Sequence, residues 1–324
     1  MKLTLLSFFI ISFFHFSHSS PQKFTSILSF GNSLADTGNY LITGAVAFPY
    51  VGHLPYGITY FHHPTGRFSD GRLVVDFIAE SQDLPLLPPY LASNKNFRQG
   101  ANFAVAGATA LDPAFFQEIG IGGTLWTNYS LSTQLRWFDE LKPSLCKTPQ
   151  ECSEYFKKSL VLVGEIGGND YNFPLVAGKS LAEVTLFVPK VVQTIAEAIE
   201  VNKAILNFTI FYSLGHIVEH DVGVVQRLTE RGAMNLLVPG NLPIGCLPLY
   251  LTLFATMDKE DYDDRNWCLK KLNNFARYHN ELLKSSIDQL RKKHPQARII
   301  YADYYGAFLR FTHSPRHFGE LSLI

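Results

Sequence analysis

The chain has 324 residues, of which 47% are hydrophobic and 17% charged, so it carries enough apolar material for a large core and too much for a disordered segment. Its 28 Lys and Arg balance 28 Asp and Glu. The basic residues are scattered rather than gathered into a stripe, which argues against a nucleic-acid partner.

At the N-terminus Lys2 precedes an apolar run from Leu3 to Phe16, and the small residues Ser17, Ser19 and Ser20 follow. This is the pattern of a secretory signal covering residues 1–19, cleaved near Ser19. The run is short for a membrane span and no basic stop-transfer flank follows it. No later stretch is long and apolar enough to cross a bilayer, so the expectation is a secreted protein, extracellular or vacuolar, without stable membrane insertion.

In an oxidising compartment an even number of cysteines reads as disulfides. The four pair most simply with their nearer partners, Cys146 with Cys152 around a Thr148-Pro149 turn and Cys246 with Cys268 across a longer loop; three pairings are formally open. A structural zinc is the weaker reading, because the sequence contains no C-x-x-C. Asn128-Tyr129-Ser130 and Asn207-Phe208-Thr209 are acceptor sequences for N-glycans.

Short β-rich runs at 26–30, 159–164, 234–238 and 298–301 read as buried parallel strands. Between the last two, Leu269, Leu272, Ala276, His279, Leu283, Ile287 and Leu290 recur at helical spacing, and Lys292-Lys293-His294-Pro295 supplies a stop. With no repeat and no low-complexity linker, residues 20–324 read as one α/β domain. The alternation implies a parallel sheet covered by helices on both faces, with functional loops at the carboxyl ends of the strands.

The first strand runs into Gly31-Asn32-Ser33-Leu34-Ala35-Asp36-Thr37-Gly38-Asn39, which presents a serine where a helix begins. It is not a G-x-S-x-G elbow, since Ala35 stands at the second glycine position. Taken alone, Ser33 reads as a helix N-cap. Gly107, in Gly100-Ala101-Asn102-Phe103-Ala104-Val105-Ala106-Gly107-Ala108, alone reads as a tight turn. Asn169-Asp170, in Gly167-Gly168-Asn169-Asp170, alone reads as an Asx turn after a strand.

Taken together and in this order, the three segments resemble the GDSL lipase/esterase family of the SGNH hydrolases, in particular its large plant branch. Residues 64–72 and 238–246 extend the resemblance, which runs from about Phe24 to Gly319. It implies a flavodoxin-like α/β/α sandwich, a serine nucleophile matching Ser33, and oxyanion donors matching the Ser33 N–H, the Gly107 N–H and the Asn169 side chain. Such donors are worth having because ester cleavage passes through a tetrahedral oxyanion. No metal or organic cofactor is implied. The expected partner is a small-molecule or lipid ester.

Three departures stand out. Asn32 occupies a position where the family signature has Asp, and it retains the hydrogen bonding needed to order a turn. Residues 189–200 read as an amphipathic helix, but 201–226 fit no helical pattern. Deleting them lets Leu228 follow Ile199 by three positions and restores the apolar face, so the segment reads as an insertion, with codons for its ends compatible with intron bounds. Lastly, the family takes its catalytic Asp and His from a late D-x-x-H motif, and none of the eleven histidines here has Asp three residues before it. A serine hydroxyl needs such a base.

The expectation is therefore a secreted carboxylic-ester hydrolase working through an acyl-enzyme, with the C-terminal catalytic block absent and turnover of this chain in doubt. An inactive ester- or glycan-binding relative and a non-functional splice product are the alternatives. His279, on the apolar face of a helix, reads as a core residue, and His62 and His63 read as a solvated pair. If the leader is cleaved as expected, N-terminal sequencing of secreted material should begin near Ser20.

Overall fold

The computed structural model describes residues 23–199 and 232–314; the expected leader, the 201–226 segment and Asn207 lie outside them. Five parallel strands form one sheet: β1 (Ser26–Phe30), β2 (Gly100–Asn102), β3 (Ser159–Val163), β4 (Asn235–Pro239) and β5 (Arg298–Ala302). Their order is β2-β1-β3-β4-β5. The four runs read from sequence are strands within a residue of the expected bounds. The edge strand β2 was not expected, because Gly-Ala-Asn carries no apolar alternation; it is a strand through its parallel register with residues 27–29 of β1.

Side chains alternate across each strand, so the sheet feeds two cores. On one face Leu28, Phe30, Val161, Val163, Leu236, Val238 and Ile299 pack under the helices α2 (Leu131–Leu145), α5 (Val188–Ile199) and α7 (Lys270–Lys293). On the other face Ile27, Leu160 and Leu162 pack against Val75 and Ala79 of α1 (Val74–Ser81). This is the three-layer α/β/α arrangement. The remaining longer helices are α3 (Pro149–Lys157), α4 (Gly168–Val176) and α8 (Tyr304–His313), with the short α6 (Pro248–Leu253) between β4 and α7.

The helix read at 269–290 is α7, and its apolar stripe of Leu272, Ala276, Leu283, Ile287 and Leu290 is buried. His279 lies on that stripe and is satisfied there: its Nδ1 is 2.7 Å from the Tyr171 hydroxyl, and burial lowers its pKa to about 4. Asn273 and Asn280 of the same helix accept from the N–H groups of Gly245 and Asn241, at 2.9 and 2.7 Å, and so hold the loop after β4.

Both expected disulfides are present, Cys146–Cys152 joining the end of α2 to α3 and Cys246–Cys268 joining the loop after β4 to the start of α7. No described helix is long and apolar enough to cross a membrane.

The strand order reverses direction between β1 and β3. In open sheets of this kind the carboxyl-end crevice at such a reversal is where loops diverge and ligands bind. Ser33 follows β1 and Asn169 follows β3, so the topology puts both on that crevice.

Arg67, in the 64–72 segment, makes a two-pronged bond to Asp76 at the start of α1: Nε to Oδ2 at 2.8 Å and Nη2 to Oδ1 at 2.9 Å, with both side chains buried. Removing the arginine would strand a buried carboxylate. Arg67→Ala should cost about 3–5 kcal/mol in chemical denaturation, and Arg67→Ala with Asp76→Ala should cost less than the sum of the two single changes.

Candidate active site

The site is three turns at the carboxyl ends of β1, β2 and β3. The first begins at Gly31, whose φ of 149° and close approach to Glu165 exclude a side chain: a Cβ there would sit 2.9 Å from the Glu165 carbonyl oxygen. Gln134 of α2, fully buried, grips this residue from behind. Its Oε1 accepts from the Gly31 N–H at 2.9 Å and its Nε2 donates to the Gly31 carbonyl at 2.8 Å.

Asn32 then orders the turn, as expected from its chemistry. Its backbone carbonyl accepts from Ala35 and Asp36, both at 3.0 Å, and its Oδ1 accepts from the Leu34 N–H at 3.0 Å. The Nδ2 donates to Oε2 of the buried Glu165 at 2.6 Å. An aspartate in this place would set two buried carboxylates against each other, and they would have to share a proton.

Ser33 is half-buried, and its hydroxyl has no hydrogen-bond partner among the described residues. It does not cap a helix. The helical turn Asn39–Ile42 starts six positions later and is served by Asp36, whose carboxylate accepts from Gly38, Asn39 and Tyr40 at 2.7–3.0 Å. A charged acceptor with two free oxygens takes the capping task and leaves the serine unused.

The second turn carries Gly107 at φ 80°, where a Cβ would lie 2.7 Å from Cβ of Trp126. Its neighbours are pinned from both sides. The Ala106 N–H donates to Oδ2 of Asp36 at 2.8 Å, and the Ala108 carbonyl accepts from Nδ2 of Asn169 at 2.9 Å. Neither the Gly107 N–H nor the Ser33 N–H has an acceptor among the described residues.

The third turn leads into α4, so Asn169 and Asp170 lie in the first turn of a helix and not in an Asx turn. Asn169 is buried, and its second amide hydrogen has no acceptor among the described residues. Asp170 reaches away from its own turn to take the N–H groups of Ala110 and Leu111, at 2.8 and 2.9 Å. Glu165 closes the circuit: Oε1 accepts from the Gly168 N–H at 3.2 Å while Oε2 holds Asn32.

The structure therefore joins Ser33, Gly107 and Asn169 through one hydrogen-bonded frame. Among the described residues it bonds no histidine to them. Besides His279, the described His62 and His63 contact the Ile58 and Pro64 carbonyls, and His313 contacts Asn266. The half-cystines lie outside this frame, and Asn128 is an exposed residue of the loop before α2. Sequence reasoning missed Gln134 and Glu165, whose partners are 103 and 133 residues away.

An unpartnered serine hydroxyl and unpaired donors, on turns at the switch point of a parallel sheet, are parts that acyl transfer can use. Sequence comparison makes the assignment specific. Residues 27–316 match the model of the GDSL-like lipase/acylhydrolase family, and the chain belongs to that family. It is 47% identical to an Arabidopsis thaliana GDSL esterase/lipase over 98% of this chain and 81% of the relative. A second from the same plant is 47% identical over 94% of this chain and 70% of its own length. A sinapine esterase of Brassica napus is 44% identical over 94% of this chain and 72% of the relative. The protein is a serine esterase/lipase whose substrates are esters.

Three carboxyls of the frame are held above their ordinary values. Burial raises Asp36 to about 6, against the pull of its four N–H donors, and raises Asp170 to about 7. Glu165 is also raised, by burial, with Asn32 and Gly168 opposing. Between the ordinary carboxylate range and these values the native state binds more protons than the unfolded chain, so their contribution to stability is full below about pH 4 and is lost as pH rises through 6 and 7. The melting temperature should accordingly fall between pH 5 and pH 8. Asn32→Asp, which adds a carboxyl beside Glu165, should steepen that fall, and a flat profile in the variant would contradict the shared-proton argument.

Proposed function

We propose that Ser33 is the nucleophile of a secreted carboxylic-ester hydrolase. The Ser33 Oγ attacks the ester carbonyl carbon, the bond to the alcohol breaks, and water later releases the acyl group from the serine. The Ser33 and Gly107 N–H groups and the Asn169 amide receive the oxyanion of each tetrahedral intermediate. One observation carries this reading: the Ser33 and Gly107 N–H groups and one of the two Asn169 amide hydrogens lack acceptors among the described residues, although all three segments are tightly bonded at their other groups. Buried donors are ordinarily paired, and unpaired donors aimed at a developing charge are what an oxyanion hole requires.

The proton of Ser33 needs an acceptor, and by family resemblance that is the histidine of a D-x-x-H motif, which these 324 residues do not contain. None of the described histidines is hydrogen-bonded to Ser33. We assign general-base work to a histidine of that kind, and expect a segment supplying it to raise the rate. Secretion is supported by the leader pattern at 1–19 and by the two disulfides.

The test uses an aryl acetate with this chain and with the chain extended by a D-x-x-H segment. Ser33→Ala should abolish covalent labelling by a fluorophosphonate and most of the hydrolysis, and Asn169→Ala should lower the rate by about 10²-fold or more. Labelling that survives Ser33→Ala would assign the nucleophile elsewhere. A folded unextended chain as fast as the extended one would remove the need for the added histidine.

A further inference from the structure

Of the three oxyanion donors only Asn169 is a side chain, and a side-chain amide is useful only if its rotation and its flip state are fixed. The structure shows how both are fixed. The Ala108 carbonyl can only accept, so Nδ2 of Asn169 must face it, at 2.9 Å. Oδ1 of Asn169 then faces Asn172 and needs a donor, which is Nδ2 of Asn172 at 3.0 Å. That turns Oδ1 of Asn172 toward Tyr250, whose hydroxyl donates to it. Every link points the same way, from the phenol to the carbonyl.

The anchor end is rigid. Tyr250 is 1% exposed, and its ring stacks on Phe254 with centroids 5.9 Å apart. It sits on α6, immediately after the half-cystine Cys246. Burial, with the charge of Glu165 adding to it, keeps the phenol well above its ordinary pKa, so the hydroxyl remains a donor.

We propose that Tyr250 and Asn172 are positioning residues of the oxyanion hole, which hold the Asn169 amide so that its one unpaired N–H meets the substrate oxygen. The proposal rests on the reading of Asn169 as an oxyanion donor. It gives a task to the segment after β4, which otherwise has no connection to the chemistry: α6 braces α4 across a separation of 78 residues.

Phosphonylation of Ser33 by an alkyl fluorophosphonate measures this without relying on a catalytic histidine. The Oγ–P bond forms, the P–F bond breaks, fluoride leaves, the hydroxyl proton passes to imidazole supplied in the buffer, and the phosphoryl oxygen occupies the oxyanion position. Tyr250→Phe, which keeps the ring, should lower kinact by about 5- to 10-fold with KI unchanged, the loss expected of one hydrogen bond. Asn172→Asp should be worse, because it sets a second acceptor against Oδ1 of Asn169. In the Asn169→Ala background Tyr250→Phe should have no further effect. Independent, multiplying losses, or a change confined to KI, would overturn the proposal.

A second readout does not involve Ser33. The Asn169 side-chain amide resonances, assigned by their disappearance in Asn169→Ala, should shift and exchange faster with solvent in Tyr250→Phe. Unchanged resonances would overturn the positioning role even if labelling proceeds. A wild-type chain that shows no labelling at all, with Asn169 resonances that respond as expected, would instead count against Ser33.

Discussion

The Glu165 carboxylate takes Nδ2 of Asn32 on one oxygen and the Gly168 N–H on the other, inside a region that water does not reach. A carboxyl in such a place is costly unless its oxygens are met by donors. Here the donors come from the turn after β1 and the turn after β3, so the bonds that make burial tolerable also fix the Ser33 turn relative to the Asn169 turn. Asp36 does the same between the β1 and β2 turns through the Ala106 N–H, and Asp170 does so between the β3 turn and residues 110 and 111. Three buried acids thus span the gaps between three loops.

What was legible in the sequence follows from range. The strands at 26–30, 159–163, 235–239 and 298–302 announce themselves as short β-rich runs, and the first two are buried along their whole length. The helix Lys270–Lys293 shows itself by its 3.6-residue stripe. The edge strand Gly100–Asn102 does not, since it is held by register alone. At the site, Ser33, Gly107 and Asn169 were readable from the company they keep in three motifs. Gln134, Glu165, Asn172 and Tyr250 were not. Each works through a partner set by tertiary packing, and glutamine, glutamate, asparagine and tyrosine at such positions have many ordinary uses. Only Glu165 carried a hint, as a lone carboxylate directly after an apolar strand.

The departure at position 32 is explained by the same frame. Asn32 presents a donor to Glu165 where an acid would present a second acceptor, and its other atoms order the turn through Leu34, Ala35 and Asp36. Asn32 therefore orders the backbone beside Ser33 while facing Glu165 with a donor. In this chain the link between the Ser33 turn and the Asn169 turn needs no shared proton.

The contact between Gly107 and Trp126 bears on how such a protein can diversify. Residue 107 is closed to any side chain twice over, by the Trp126 Cβ and by its left-handed backbone, so trimming Trp126 alone does not open it. The indole, in contrast, is partly exposed and stacks on Phe48 at 5.2 Å, with Tyr50 beyond it. Positions 126, 48 and 50 can therefore change in size while the backbone at 107 stays where it is. Selection for bulkier or slimmer molecules has an adjustable wall to act on, set against a fixed corner.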